Sequence, residues 1–241
     1  MRKQSLGRKY QTLDDGVIID TIDQLRNRIN ERFPARGLAQ TSQFLADLAR
    51  RTTQLTVQLR QPNWLVRSLV FAVLAGGAFI IYQSRDLVPN LKSGSLNITE
   101  LAQGLDASFN IIVLIGLAVI FLLGLEARIK RRRALDGLYR LRAISHVIDM
   151  HQLTKDPASI LGSERTGSSP TRDLSRDQLL RYLDYCAEML SMIGKLAALY
   201  VQGFPDQIVI ESVNDIEALT TNLSRKIWQK IMIVQGEKLQ D

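Results

Sequence analysis

Two long runs almost free of charge constrain this chain more than any other feature of it. Across residues 64–82 the only charged side chain is Arg67, close to the start, while Leu69, Val70, Phe71, Val73, Leu74, Phe79, Ile80 and Ile81 keep the surface apolar. Residues 109–125 carry no charge, and Asn110 at the mouth is their one strongly polar residue. With a rise of about 1.5 Å per residue, roughly 20 residues cross the ~30 Å hydrocarbon core of a bilayer, and Arg67 can reach back to the head groups along its own alkyl stem. Inside hydrocarbon every backbone N–H and C=O needs an internal partner, and two strands cannot close a barrel, so both runs are expected to be helical. The competing reading, two helices buried in a water-soluble core, needs apolar cover on every face. The rest of the chain is rich in Arg, Gln, Asp and Ser and does not supply it, so the whole-chain mean hydropathy of -0.02 averages two unlike kinds of sequence.

Orientation follows from Lys and Arg near the ends of the runs. Arg50, Arg51 and Arg60 precede the first, and Arg128, Lys130, Arg131, Arg132 and Arg133 follow the second. The connecting residues 84–107 hold Arg85 and Lys92 against Asp86, Glu100 and Asp106. The positive-inside rule therefore puts the connection outside and both termini in the cytoplasm, the arrangement of an inner-membrane, multi-pass protein. Asn97-Ile98-Thr99 on the outer side is a formal glycosylation sequon, a tripeptide common by chance. Arg2, Lys3, Arg8 and Lys9 are not followed by an apolar core, so no cleavable signal peptide is expected.

A net charge of +7 and a pI of about 9.7 would permit nucleic acid as a partner, but the charge is concentrated beside an apolar run and lacks aromatic interleaving. A membrane flank explains it better, with anionic head groups as a second partner for the five-residue cluster. The single cysteine, Cys186, lies in an apolar helical pattern and has no intramolecular disulfide partner, which suits a reducing compartment.

Outside the two runs, apolar residues recur every three or four positions. Ile18, Ile22, Leu25, Ile29 and Phe33 form one stripe, and after Pro34 and Gly37 a second contains Leu45, Leu48, Leu55 and Leu59. The basic cluster runs without a stop signal into a helix carrying Leu135, Leu138, Leu141, Ile144, Val147 and Ile148 on a wide arc. Asp156-Pro157, Gly162 and Pro170 mark a linker; Ser175 and Gln178 then stand in capping-box spacing before Leu179, Leu183, Cys186, Leu190, Ile193, Ala197 and Tyr200. After Gly203 and Pro205, a last stripe uses Val213, Ile216, Leu223, Ile227, Ile231 and Val234. The expected fold is all-α, a two-span transmembrane hairpin with cytoplasmic amphipathic helices forming a bundle. Its parts are an N-terminal helical region 1–62, spans 63–84 and 108–127 around an outer loop 85–107, a juxtamembrane helix 128–153, a flexible linker 154–173 and a C-terminal helical hairpin 174–241.

Ser68, Ala72 and Gly76 recur every four residues on the first span, and Gly116 and Gly124 give the second a similar small face. Such faces let helix backbones approach closely in lipid, so the spans should pack on one another or on further copies of the chain. Histidines gather only at His146 and His151, with Asp149 between them. At about 100° per residue Asp149 lies some 60° from His146 but His151 about 140° from it, so the three do not converge as metal ligands on one helix face do. Asp20, Asp23, Asp184 and Glu188 form acid pairs at helical spacing that nothing singles out. A phosphate loop, a nucleophile elbow and a Cys/His pair are all missing, so neither an enzyme nor a cofactor or metal is expected. The leading expectation is a membrane anchor for a cytoplasmic self-association or protein-binding domain with a scaffold or regulatory role. A subunit of a small oligomeric ion channel stands second, because the spans offer little but Asn110 and Arg67 to an ion. A membrane-bound enzyme using the His/Asp segment stands third.

Overall fold

The computed structural model of the protein describes residues 12–34, 36–84, 98–153, 155 and 174–236. All regular structure among these residues is helical: α1 Asp15–Arg32, α2 Gly37–Arg60, α3 Trp64–Ser84, α4 Ile98–Leu153, α5 Arg176–Gly203 and α6 Gln207–Gly236. Two of these helices contain stretches long and apolar enough to cross a membrane. The sequon Asn97, the basic residues of the first eleven positions and nearly all of the linker lie outside the described residues.

The chain divides into two units, residues 1–60 with 131–241, and residues 61–130. In the first, each helix buries most of the stripe its periodicity supplies. Asp14 caps α1 by accepting from the N–H groups of Gly16 and Val17, and Ile18, Ile22, Leu25 and Ile29 go into the core. The helix stops at Phe33, ahead of Pro34, which disfavours helical backbone in the residue before it. In α2 the buried face holds Leu38, Leu45, Leu48 and Leu59 but also Thr41, Ser42, Thr52 and Thr56. Three of these hydroxyls donate back to the helix's own carbonyls, Thr41 to Gly37, Ser42 to Ala39 and Thr56 to Thr53, which lets them stand in the core at little cost. Leu55 is only partly buried.

From Arg131 onward α4 contributes Ala134, Leu138, Leu141, Ile144, Ser145 and Ile148 to the same core, whereas Val147, counted with that arc in the sequence, is exposed. The capping box of α5 is complete: the Ser175 hydroxyl accepts from the N–H of Gln178, whose side chain accepts from the N–H of Ser175. The α6 stripe of Val209, Val213, Ile216, Thr220, Leu223, Ile227, Ile231 and Val234 faces α5. These two helices run antiparallel: the Arg176 guanidinium donates to the carbonyls of Val234 and Gln235, and Gly194 sits opposite Thr220. Close approaches elsewhere fall on glycine. A Cβ on Gly137 would strike the Tyr200 hydroxyl, and one on Gly203 would come to 3.0 Å from the Thr56 carbonyl oxygen.

In the second unit, α3 and the part of α4 up to Lys130 meet in opposite chain directions, since Gly77 lies on Ile115 and Asn63 on Glu126. The helix containing the second apolar run begins at Ile98, ten residues ahead of the boundary drawn for the span, and continues to Leu153 without a break. The Gly124 and Gly137 positions inside it do not interrupt it, as expected where neighbouring residues are good helix formers.

Candidate functional site

The two apolar helices carry the feature that distinguishes this chain, a surface of large side chains facing outward. Trp64 is 72%, Leu65 83%, Phe71 74%, Ile120 69% and Phe121 65% exposed. Within the most apolar stretch of each spanning candidate only 11% and 6% of residues are buried, the reverse of what a core helix gives. Patches of this extent are not tolerated in water on an isolated chain and mark a surface that lipid or protein covers.

Where the two helices touch, the seam is narrow. Val66 and Gly77 are buried and Val70 and Val73 half-buried, a four-three-four spacing along α3; Ile111, Ile115 and Ala118 are half-buried and Leu122 buried along α4. Gly77 is what permits the approach, because a Cβ there would run into the Ile115 side chain. Ser68, Ala72 and Gly76 lie about 130° round the helix from this seam, taking 100° per residue. They are exposed, and a Cβ on Gly76 would meet nothing within 4 Å; the same holds for Gly116 and Gly124. The small-residue faces read from the sequence are therefore separate from the intrachain contact. Gly77, one position from Gly76, carries that contact instead, and the spacing Val66, Val70, Val73, Gly77 is the signal that marks it.

At one end of the seam, the Asn63 side chain accepts from the N–H of Leu65 and so caps α3. The Asn63 N–H in turn donates to Glu126 Oε1 at 3.0 Å, and Lys130 Nζ lies 3.0 Å from the same oxygen. In the other unit, Arg131 donates from Nε and Nη2 to the two carboxylate oxygens of Asp206 at 2.9 and 2.7 Å. Asp206 Oδ1 also accepts from the N–H groups of Ile208 and Val209, so this carboxylate caps α6 while holding Arg131. The hydrogen bond from Arg131 holds the Asp206 carboxyl below the usual carboxylate range, against the effect of its partial burial. Two members of the basic cluster, Lys130 and Arg131, thus have acid partners within the chain, while Arg128, Arg132 and Arg133 are exposed. Glu126 and Asp206 carried no signal in the sequence, Asp206 standing 75 residues beyond its partner.

The remaining candidates separate. His146 is exposed; Asp149 accepts from the Gln152 amide at 2.6 Å; His151 Nε2 lies 3.1 Å from Thr41 Oγ1. Because the Thr41 hydroxyl donates its one hydrogen to the Gly37 carbonyl at 2.9 Å, His151 Nε2 must be the donor to Thr41. Burial, helped by the charge of Lys155, holds the His151 imidazole below its ordinary range. Among the described residues no three His, Cys, Asp or Glu side chains are grouped to hold a metal ion. Of the acid pairs, Asp23 binds Arg50 and Arg26, Glu188 binds Arg28, and Asp184 lies 3.6 Å from Arg181, while Asp20 is exposed. Cys186 is fully buried and its thiol is pushed up to about 12. Comparison with known proteins finds no matching family model, no similar curated protein and no similar solved structure.

Proposed function

We propose that the chain is an inner-membrane protein that crosses the bilayer twice as a helical hairpin and holds a cytoplasmic helical bundle, and that its role is to assemble copies of itself, or a protein partner, at the membrane. The observation that carries this reading is the separation of faces on α3. Gly77 and its valines are used up within the chain, while Ser68, Ala72 and Gly76 are exposed away from that seam, and Gly76 has open space above it. In lipid, helix association draws on close packing and not on the hydrophobic effect, so a second small-residue face is a resource for a second helix. The basic flanks and the acidic connection support both termini lying in the cytoplasm.

The test is disulfide trapping in native membranes. Cys186 is buried and does not interfere, so Ala72→Cys and Gly76→Cys variants should form covalent dimers on mild oxidation. Val73→Cys, on the intrachain seam, should not. Equal trapping at all three positions, or none at 72 and 76 together with a monomer in mild detergent, overturns the proposal.

A further inference from the structure

A groove of about 310 Å³ lies between α2 and α4 in the first unit, and Arg51, Thr52, Arg133, Gly137, Arg140 and Tyr200 are among the residues that line it. Thr52 and Tyr200, each 1% exposed, form its floor, while the three arginines are exposed at its rim. Gly137 opens the α4 wall, since a Cβ there would take the space of the Tyr200 hydroxyl. Arg133 and Arg140, seven residues or about two turns apart, share one face of α4 and stand about one turn to either side of Gly137. The two helices run antiparallel: Gly37 lies against the His151 imidazole, and Thr52 and Gly137 meet over the Tyr200 hydroxyl. Arg51, one residue before Thr52, is therefore nearer to Arg140 than to Arg133 along the axis. Burial pushes the Tyr200 phenol up, opposed by Thr52 and by the field of Arg140, so the charge of that guanidinium reaches the floor of the groove.

Elsewhere in the unit guanidiniums are paired, Arg28 with Glu188, Arg50 with Asp23 and Arg131 with Asp206. Among the described residues Arg51, Arg133 and Arg140 make no ion pair and no side-chain hydrogen bond. Asp136 is the acid in this groove; it stands three residues from Arg133 and four from Arg140 and pairs with neither. Three guanidiniums against one carboxylate repel one another at a cost that an incoming anion would relieve.

We propose that Arg51, Arg133 and Arg140 bind a phosphate group in this groove, either the inorganic ion or a phosphate monoester, with the phosphate between Arg51 and Arg140. Planar forks reaching in from the two sides of a groove can each give a pair of parallel N–H bonds to a tetrahedral group, whereas a carboxylate has oxygens for one fork. The volume corresponds to about ten waters at ~30 Å³ each, more than a five-atom phosphate group fills. Gln54, Gln58 and Asp136 line the same groove and border the room left for the organic part of an ester.

The test is equilibrium dialysis of radiolabelled orthophosphate against the full-length protein in phosphatidylcholine nanodiscs, with sodium chloride holding the ionic strength constant. Binding should saturate at one phosphate per chain. Arg51→Gln and Arg140→Gln should each weaken it roughly ten-fold or more, as expected for loss of a charge-assisted bond, and Arg133→Gln by a smaller factor. Arg142→Gln removes the same charge from the same helix outside the groove, and should leave the midpoint within about two-fold of the parent. All four side chains are exposed, so unchanged helicity and Tm identify the variants as folded. Nanodiscs containing phosphatidic acid decide the source: weaker orthophosphate binding there than in phosphatidylglycerol nanodiscs of equal charge assigns the phosphate of a lipid head group, and equal binding assigns a soluble ligand. Binding that does not saturate, Arg51→Gln and Arg140→Gln variants that bind like the parent, or an Arg142→Gln loss as large as theirs, overturns the proposal.

Discussion

Two glycines in the interiors of long helices should respond differently to the same substitution. Alanine is better than glycine in a helix interior by about 1 kcal/mol, whatever surrounds it. At Gly194 a Cβ would have Thr220 Oγ1 as its nearest neighbour at 3.5 Å, an ordinary contact, so Gly194→Ala should keep most of that gain. At Gly137 it would collide with the hydroxyl of Tyr200, a residue 1% exposed and placed between α4 and Thr52 of α2, to whose Oγ1 its own oxygen lies at 3.4 Å. Overpacking of this kind costs about 1–3 kcal/mol, so Gly137→Ala should range from neutral to about 2 kcal/mol destabilising. The difference between the two variants is the steric cost itself. For a unit of this size roughly 2–4 °C accompanies each kcal/mol, which puts the gap in Tm at about 2–12 °C. Thermal melting of the full chain in mild detergent, followed by far-ultraviolet circular dichroism, measures it. Because the nearest colliding atom is the phenol oxygen, with the ring carbons Cζ and Cε1 at 2.6 and 2.9 Å behind it, Tyr200→Phe should recover only part of the loss when combined with Gly137→Ala. Equal stabilisation by both alanines would refute the packing argument, and a Tyr200→Phe that gives no recovery would show that the ring carbons and not the hydroxyl carry the cost.

Two further outcomes follow from the groups with displaced acidities. Asp206 has its carboxyl held below the usual range in the folded chain, so its contribution is complete above the unfolded value near 4 and is lost as pH falls through the lower folded value. The Tm difference between the parent chain and Asp206→Asn should therefore be constant from pH 7 to about 5 and shrink below about 4; a difference independent of pH down to 3 would remove Arg131 as the cause. Cys186, buried and with its thiol pushed up to about 12, should react with maleimide at pH 8 only as fast as the first unit opens. Labelling that is complete within the mixing time in the native state would contradict its burial.

How much of this molecule could be read in advance depends on whether the information was local. The α6 stripe is a run of branched aliphatics, with Thr220 standing between Ile216 and Leu223, at three- and four-residue steps, and each of those residues is in the core. The capping box at Ser175 and Gln178 is equally local, and it forms. The buried face of α2 was harder, because Thr41, Ser42, Thr52 and Thr56 belong to no apolar stripe, and three of them enter the core with their hydroxyls bonded to the helix itself. The α4 start at Ile98 could not be placed from hydropathy, since 98–107 is polar enough to pass for loop. Contacts between distant segments were hidden altogether: nothing in the sequence joins Arg131 to Asp206, or Gly37 to His151.

The five basic residues after the second apolar run illustrate why one set of charges can support one inference and weaken another. Orientation in the bilayer is decided while the chain is being inserted, by Lys and Arg near the ends of apolar segments, and acidic residues contribute little to that decision. The later pairing of Lys130 with Glu126 and of Arg131 with Asp206 therefore leaves the topology argument at full strength. Attraction to anionic head groups is a property of the folded surface, where a guanidinium held by two carboxylate oxygens has already spent most of its field. Arg128, Arg132 and Arg133 are what remains exposed, so under the proposed function any attraction of this segment to anionic head groups would draw on three charges, whereas the proposed orientation counts all five.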